Sequence, residues 1–216
     1  MNSKKYRVAL IGCGVVSLNH LYALSLMEEV TVVAVCDIIE ERAKEARDKL
    51  CVGAHVYTDY KEMLECEKPD AVHIATPHYL HAEMTIFALQ HNVNVFLEKP
   101  MCISTNEIEA LISAEKKSAA RVCVSFQNRF ISATKKALEI VKEDGGALTA
   151  SFSLFWKRDE KYYTGSGWRG KYATEGGGVM INQAIHSLDL LTIFLGKPTS
   201  VCATTANHHL KGIIEV

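Results

Sequence analysis

Tyr6-Arg7-Val8-Ala9-Leu10-Ile11-Gly12-Cys13-Gly14-Val15-Val16-Ser17 decides the fold. Its first half is an apolar run of the length of a buried strand. Two glycines interrupt it, and apolar side chains at helical spacing (Leu18, Leu21, Leu24–Leu26) then run on to Met27. A strand that enters a helix through a glycine turn is the first half of a βαβ unit. In that setting Gly12 permits the tight turn and Gly14 lets an anionic group approach the backbone. Small Ser17, standing where a third glycine is usual, packs helix against strand.

Working outward, strands and helices alternate. Val30–Cys36 is almost wholly apolar, as a parallel strand covered on both faces should be, and it ends at Asp37. Glu40–Leu50 is a charged helix; Ala54–Tyr57 is a short strand and Tyr60–Glu65 a short helix. Pro69–Ala75 is a strand ending at Thr76-Pro77, followed by a helix over Tyr79–His91. Val93–Leu97 is a strand ending in Glu98-Lys99-Pro100. Ser104-x-x-Glu107 is a capping box that opens a helix reaching about Ser118, and Arg121–Phe126 is a sixth strand. This order predicts a doubly wound parallel sheet, α/β in class, over residues 1–123.

Beyond Phe126 the pattern changes. Phe130–Lys142 is a helix stopped by Gly145-Gly146. Ala147–Lys157 alternates like an antiparallel strand, Val179–Leu195 is a strongly apolar helix, and Thr199–Asn207 is another strand. Residues 124–216 therefore predict an incomplete α+β domain of mainly antiparallel sheet. With so few strands to cover its buried helix, the chain reads as a piece of a longer protein.

Bulk properties exclude several classes. Of 216 residues 48% are apolar, and the net charge is −1 with no basic block. Nucleic acid and anionic membranes are poor partners for such a surface. No apolar run is long enough to span a bilayer, and Met1–Arg7 is too polar for a signal peptide. The seven cysteines show no Cys-x-x-Cys pair. Several, among them Cys13, Cys36 and Cys123, lie in apolar runs and read as small buried thiols of a reducing cytoplasm, with no metal site.

The motifs carry the chemistry. The glycine turn would cradle a pyrophosphate at a helix N-terminus. Asp37 would accept hydrogen bonds from adenosine ribose hydroxyls and repel a 2′-phosphate. Ile38 and Ile39 offer no compensating cation, although Arg42 is near in sequence, so NAD is favoured and NADP remains possible. Thr76-Pro77 reads equally as a loop over the nicotinamide ribose and as an ordinary strand-to-helix turn. His78 and His81 taken alone read as surface residues. Glu98-Lys99 is by itself a solvated pair, but at a strand's carboxyl end it stands where open sheets place ligand chemistry, with Pro100 directing the amine. Asn182, His186 and Asp189 fall on one face of the apolar helix. That face is open to three readings: a core histidine satisfied by Asp189, a metal site poor in ligands, and a general base. Gln127-Asn128-Arg129 and Trp168-Arg169 are loop residues suited to a polyhydroxylated or anionic substrate.

Taken together, Gly12-x-Gly14-x-x-Ser17, Asp37, Thr76-Pro77, Glu98-Lys99-Pro100, Gln127-Asn128-Arg129-Phe130, Trp168-Arg169 and Gly176-Gly177-Gly178-x-x-x-Asn182-x-x-x-His186-x-x-Asp189 resemble the glucose–fructose oxidoreductase / inositol dehydrogenase / MocA family. The resemblance implies a Rossmann domain followed by an α/β domain whose open sheet often forms an oligomer interface. It implies hydride exchange between NAD(P) and a carbinol of a sugar, cyclitol or sugar nucleotide. The implied cofactor contacts are Gly12, Gly14, Val15, Val16, Asp37, Thr76, Pro77, His81, Glu98, Lys99 and Gln127. Substrate would meet Lys99, Arg129, Trp168, Arg169, Asn182 and His186, and Lys99, His186 and Asn182 would be catalytic. Asn182 replaces an aspartate found in several members. The partner is then a small carbohydrate, the full-length protein a homo-oligomer, and the family normally continues well past residue 216. A lyase or glycosidase that oxidises its sugar only transiently would need the same residues. A non-catalytic NAD-binding regulator would not need both Lys99 and His186.

Overall fold

A computed structural model describes residues 5–146, 149–207, 210, 212, 214 and 215. The chain divides into two compact units, 1–125 and 126–216.

The first unit is a six-stranded parallel sheet. Its strands are β1 (Tyr6–Ile11), β2 (Val30–Cys36), β3 (His55–Tyr57), β4 (Ala71–Ile74), β5 (Asn94–Leu97) and β6 (Val122–Val124), in the order β3-β2-β1-β4-β5-β6. Every pair is parallel; β1 pairs continuously with β4, and with β2 through a one-residue register shift between Val8 and Ala9. The connecting helices are α1 (Ser17–Ser25), α2 (Glu40–Leu50), α3 (Tyr60–Glu67), α4 (His81–Gln90) and α5 (Thr105–Lys117). The strand order reverses between β1 and β4, the crevice where such sheets take their ligands.

Alternation along the strands builds a core on each face. Leu10 and Val35 pack with Leu21 of α1 and with Ala43 and Ala46 of α2. Ala9, Ile11, Ile74, Val95 and Leu97 pack with Leu64 of α3 and with Met84 and Ala88 of α4. The helix starts follow their sequence signals. Asp59 accepts hydrogen bonds from the Lys61 and Glu62 amides at the start of α3. Ser104 accepts from the Glu107 amide at the start of α5, while the Glu107 carboxylate reaches back to the Ile103 amide. The expected helix over Tyr79–His91 begins instead as a 3-10 turn, His78–Leu80, before α4.

The second unit differs from expectation. Among the described residues it holds a short 3-10 turn, Gln127–Phe130, and five helices: α6 (Ser132–Glu143), α7 (Glu160–Thr164), α8 (Tyr172–Glu175), α9 (Val179–Asn182) and α10 (Ile185–Leu195). Among the described residues it has no sheet. The stretches 149–157 and 199–207, read as antiparallel strands, run without strand pairing; Ala147 at the head of the first lies outside the described residues. Alternation makes a segment competent for a sheet, but a strand exists only against a hydrogen-bonded neighbour. The single helix expected over Val179–Leu195 is broken between Asn182 and Ile185. No single helix among the described residues is long and apolar enough to cross a membrane.

Candidate active site

The glycine turn is fixed by packing on one side and open on the other. Gly12 has φ +89°, and a Cβ there would lie 2.6 Å from the Ala75 carbonyl oxygen, so glycine is required. Gly14 is different: a Cβ there would meet no atom within 4 Å. Val15 and Val16 are exposed beside it, and no described side chain caps α1. Ser17 is fully buried and its hydroxyl donates to the Gly14 carbonyl at 2.5 Å, closing the loop onto the helix.

Asp37, at the end of β2, is buried and anchors the same loop. Its carboxylate accepts the Cys13 amide at 2.8 Å through Oδ2 and the Ile39 amide at 2.9 Å through Oδ1. Burial, and then the Asp37 charge, pushes the thiols of Cys13 and Cys36 up to about 12, so both stay protonated. Cys51 and Cys102 are buried as well, but Cys123, expected inside, is exposed on edge strand β6.

Thr76-Pro77 follows β4 and Glu98-Lys99-Pro100 follows β5, so both turns stand at the carboxyl end of the sheet. His81 joins them. It is fully buried, contrary to its reading as a surface residue, and its ring nitrogens lie 2.7 Å from the Pro100 carbonyl and 2.9 Å from the Thr76 carbonyl. Burial lowers its pKa, against the two carbonyl contacts, which favour the charged ring. His78 is buried too. The periodicity of α4 placed His81 on its inward face, but its polar character hid that.

Glu98 and Lys99 are half-buried, not fully solvated. Glu98 accepts from His20 at 2.9 Å and from the Lys99 amide at 3.2 Å. Burial alone would raise its carboxyl, but hydrogen bonds from His20, Ser125 and the Lys99 amide outweigh it and hold the group below its ordinary value. The Lys99–Pro100 bond is cis. Sequence reasoning missed His20 and His73. His20 falls on the buried stripe of α1 with Ser17, Leu21 and Leu24, which is the signal that finds it.

In the second unit Asp189 accepts a forked pair of hydrogen bonds from Arg129, with Nε at 2.8 Å from Oδ2. The Arg129 guanidinium also lies over Phe126 at 5.2 Å, and His186 meets that ring edge-on at 6.1 Å. Asn182 is buried; its amide donates to the Glu175 carboxylate and to the Tyr162 hydroxyl, and its carbonyl accepts from Gln183. The break after Asn182 puts it on a different helix from His186 and Asp189, so the expected single polar face is not formed. Gln127 is exposed. Arg169 stacks between Tyr162 at 4.6 Å and Trp168 at 4.8 Å. Glu175, buried beside Asn182, had no motif to announce it beyond the glycine triplet that follows.

A parallel sheet with this switch point, an open glycine turn and an acidic residue closing the second strand defines a dinucleotide-binding domain. Residues 6–126, more than half of the chain, match the Gfo/Idh/MocA oxidoreductase family with its NAD-binding Rossmann fold, and residues 135–215 match that family's C-terminal domain. The chain belongs to this family. It is 33% identical over 126 residues to inositol 2-dehydrogenase of Salmonella paratyphi B, covering 57% of this chain and 38% of the relative. It is 26% identical over 191 residues to myo-inositol 2-dehydrogenase of Thermotoga maritima, covering 88% and 55%. Among solved structures, the WlbA dehydrogenase of Bordetella pertussis in complex with NADH and UDP-GlcNAcA superposes with a TM-score of 0.80 at 30% identity, covering 89% of this chain and 59% of that one. The chain thus spans between about two fifths and three fifths of these relatives' lengths.

Proposed function

We propose that the protein is an NAD(P)-dependent oxidoreductase acting on a secondary alcohol of a sugar, cyclitol or sugar nucleotide. The observation that carries this reading is the Glu98-Lys99-Pro100 turn, set by His20 and His81 at the carboxyl end of the sheet that bears the open Gly12–Gly14 turn. The substrate class is supported by the relatives, whose names specify inositol and whose solved complex holds a nucleotide sugar. NAD, when bound, supplies a hydride acceptor or donor. Gly12, Gly14, Val15, Val16, Asp37, Thr76, Pro77, His81, Glu98, Lys99 and Gln127 would hold it. The buried carboxylate of Asp37, flanked by Ile38 and Ile39, favours NAD over a 2′-phosphorylated cofactor.

His186 would take the hydroxyl proton and Lys99 would hydrogen-bond the same oxygen, stabilising the charge that develops there. Asn182, Arg129, Trp168 and Arg169 would orient the substrate. The first unit would serve the cofactor, and the second would serve substrate and, through an antiparallel sheet, assembly. A cytoplasmic homo-oligomer fits the free cysteines and the family.

The test is a screen for NAD reduction over polyols and sugar nucleotides with the full-length gene product, followed by Lys99→Met. The variant should lose turnover by about a hundredfold or more, with a far smaller change in NADH affinity. Turnover at the unaltered rate would refute the role of Lys99. Consumption of substrate without net NADH would mark transient oxidation within a lyase.

A further inference from the structure

His20 and His73 have no part in the proposed chemistry, yet both lie against the first unit's central turn. His20 is buried on α1 and His73 is set in β4. His20 Nε2 is 2.9 Å from Glu98 Oε1, and His20 Nδ1 is 3.0 Å from His73 Nδ1. Phe96 meets the His20 ring edge-on at 5.6 Å and the His73 ring at 4.8 Å, which restricts both.

The hydrogens in this chain follow from the acceptors. Glu98 is ionised and accepts only, so the His20 Nε2 carries the hydrogen between them. One hydrogen must also lie between the two Nδ1 atoms. With both rings neutral it belongs to His73, because His20 has given its own to Glu98. If His20 becomes an imidazolium it donates both ways, and His73 accepts as its other tautomer. Burial, with the neighbouring His20, pushes His73 down to about 4, so it is the neutral member in either state. Both hydrogen bonds therefore survive a change in the charge of His20.

We propose that His20, backed by His73, is a positioning residue of the dinucleotide site. It holds Glu98 ionised and aimed in one direction, so that the carboxylate presents a fixed acceptor to the ribose hydroxyls of the nicotinamide half. The proposal rests on the reading of Glu98 as a cofactor contact. It ties the helix that follows the glycine turn to the Glu98-Lys99 turn through one imidazole.

The experiment titrates the full-length gene product with NADH, by ligand fluorescence, in four forms: unaltered, His20→Leu, His20→Gln, and His20→Leu with His73→Phe. The leucine variant should bind NADH about tenfold more weakly or worse. Glutamine, whose amide N–H reaches the place of Nε2, should recover most of that loss. The double variant should match the leucine variant's affinity while removing the orphaned His73 donor. Proton–nitrogen NMR of the unaltered protein should show His20 Nε2 protonated across the neutral range. Unchanged affinity in a folded leucine variant, or glutamine binding no better than leucine, would overturn the proposal. Should both leucine variants fail to fold, weak binding by the glutamine variant or a bare His20 Nε2 would do the same. No NADH binding by the unaltered protein would overturn the functional reading and this inference with it.

Discussion

In the first unit Leu10, Leu64, Ile74 and Leu97 are sealed at 1% exposure or less, under helices on the two faces of a six-stranded sheet. In the second unit Phe152, Leu154, Phe155 and Trp156 stand exposed along a stretch with no paired neighbour among the described residues. The contrast extends through the whole molecule. Leu190 is the one apolar residue of the second unit that is as buried as the first unit's core, among the residues described. Both stretches are apolar in sequence. What separates them is the supply of partners. Each strand of the parallel sheet finds its neighbours within the first 125 residues, whereas 149–157 and 199–207 find none among the described residues.

The sharpest break of the contrast is at the glycine turn. Gly12→Val combines a left-handed φ of +89° with a Cβ 2.6 Å from a backbone carbonyl. It should cost the first unit on the order of 3 kcal/mol or more and abolish dinucleotide binding, read by urea unfolding and NADH titration. Next in size is Leu97→Ala, a truncation at a fully buried strand position of the central sheet. It should cost about 3 kcal/mol in the same unfolding experiment.

The same partner argument explains what the sequence made legible. The six strands, the order of helices and the glycine turn were readable because parallel βαβ units are local and repeat one pattern. Where signals were local they were reliable: Ser104-x-x-Glu107 caps α5, and Asp37 ends β2 with its carboxylate turned to the Cys13 amide. The misses involve long-range burial. His81 looked solvated because a lone polar residue gives no sign of which carbonyls await it. Cys123 looked buried because an apolar strand does not declare itself an edge. Asn182, His186 and Asp189 shared a face only on paper, since periodicity does not reveal a break after Asn182.

A smaller effect tests how the first unit is secured away from its site. Glu67, at the end of α3, accepts from Arg7 at 2.9 Å, from Tyr57 at 2.9 Å and from His55 at 2.5 Å. Burial alone would raise its carboxyl, but the His55 and Tyr57 bonds and the Arg7 charge hold it below its ordinary value. A carboxyl depressed on folding adds stability above its unfolded value and loses it as the pH falls through the folded one. Arg7 and His55 are well exposed and screened, so Glu67→Gln should cost about 1 kcal/mol at pH 7. The gap between variant and unaltered protein should close as the pH falls below about 4. A gap that widened towards acid would contradict the assignment.

The smallest effect is expected where the apolar surface is largest. Phe155 is 94% exposed, so its ring loses almost no burial when removed. Phe155→Ser in the 216-residue chain should change unfolding free energy by no more than about 0.5 kcal/mol, against about 3 kcal/mol for Leu97→Ala. Phe155→Ser deletes the larger apolar group, so a smaller cost than that of Leu97→Ala measures burial and not hydrophobicity. Hydrogen exchange gives the backbone version of the same comparison. Amides of β1, β4 and β5 should exchange only on unfolding of the unit, and those of 149–157 should exchange without it. A cost above 2 kcal/mol for Phe155→Ser, or protected amides over 149–157, would show that this stretch has found a partner. The difference between the units would then be one of packing depth and not of missing neighbours.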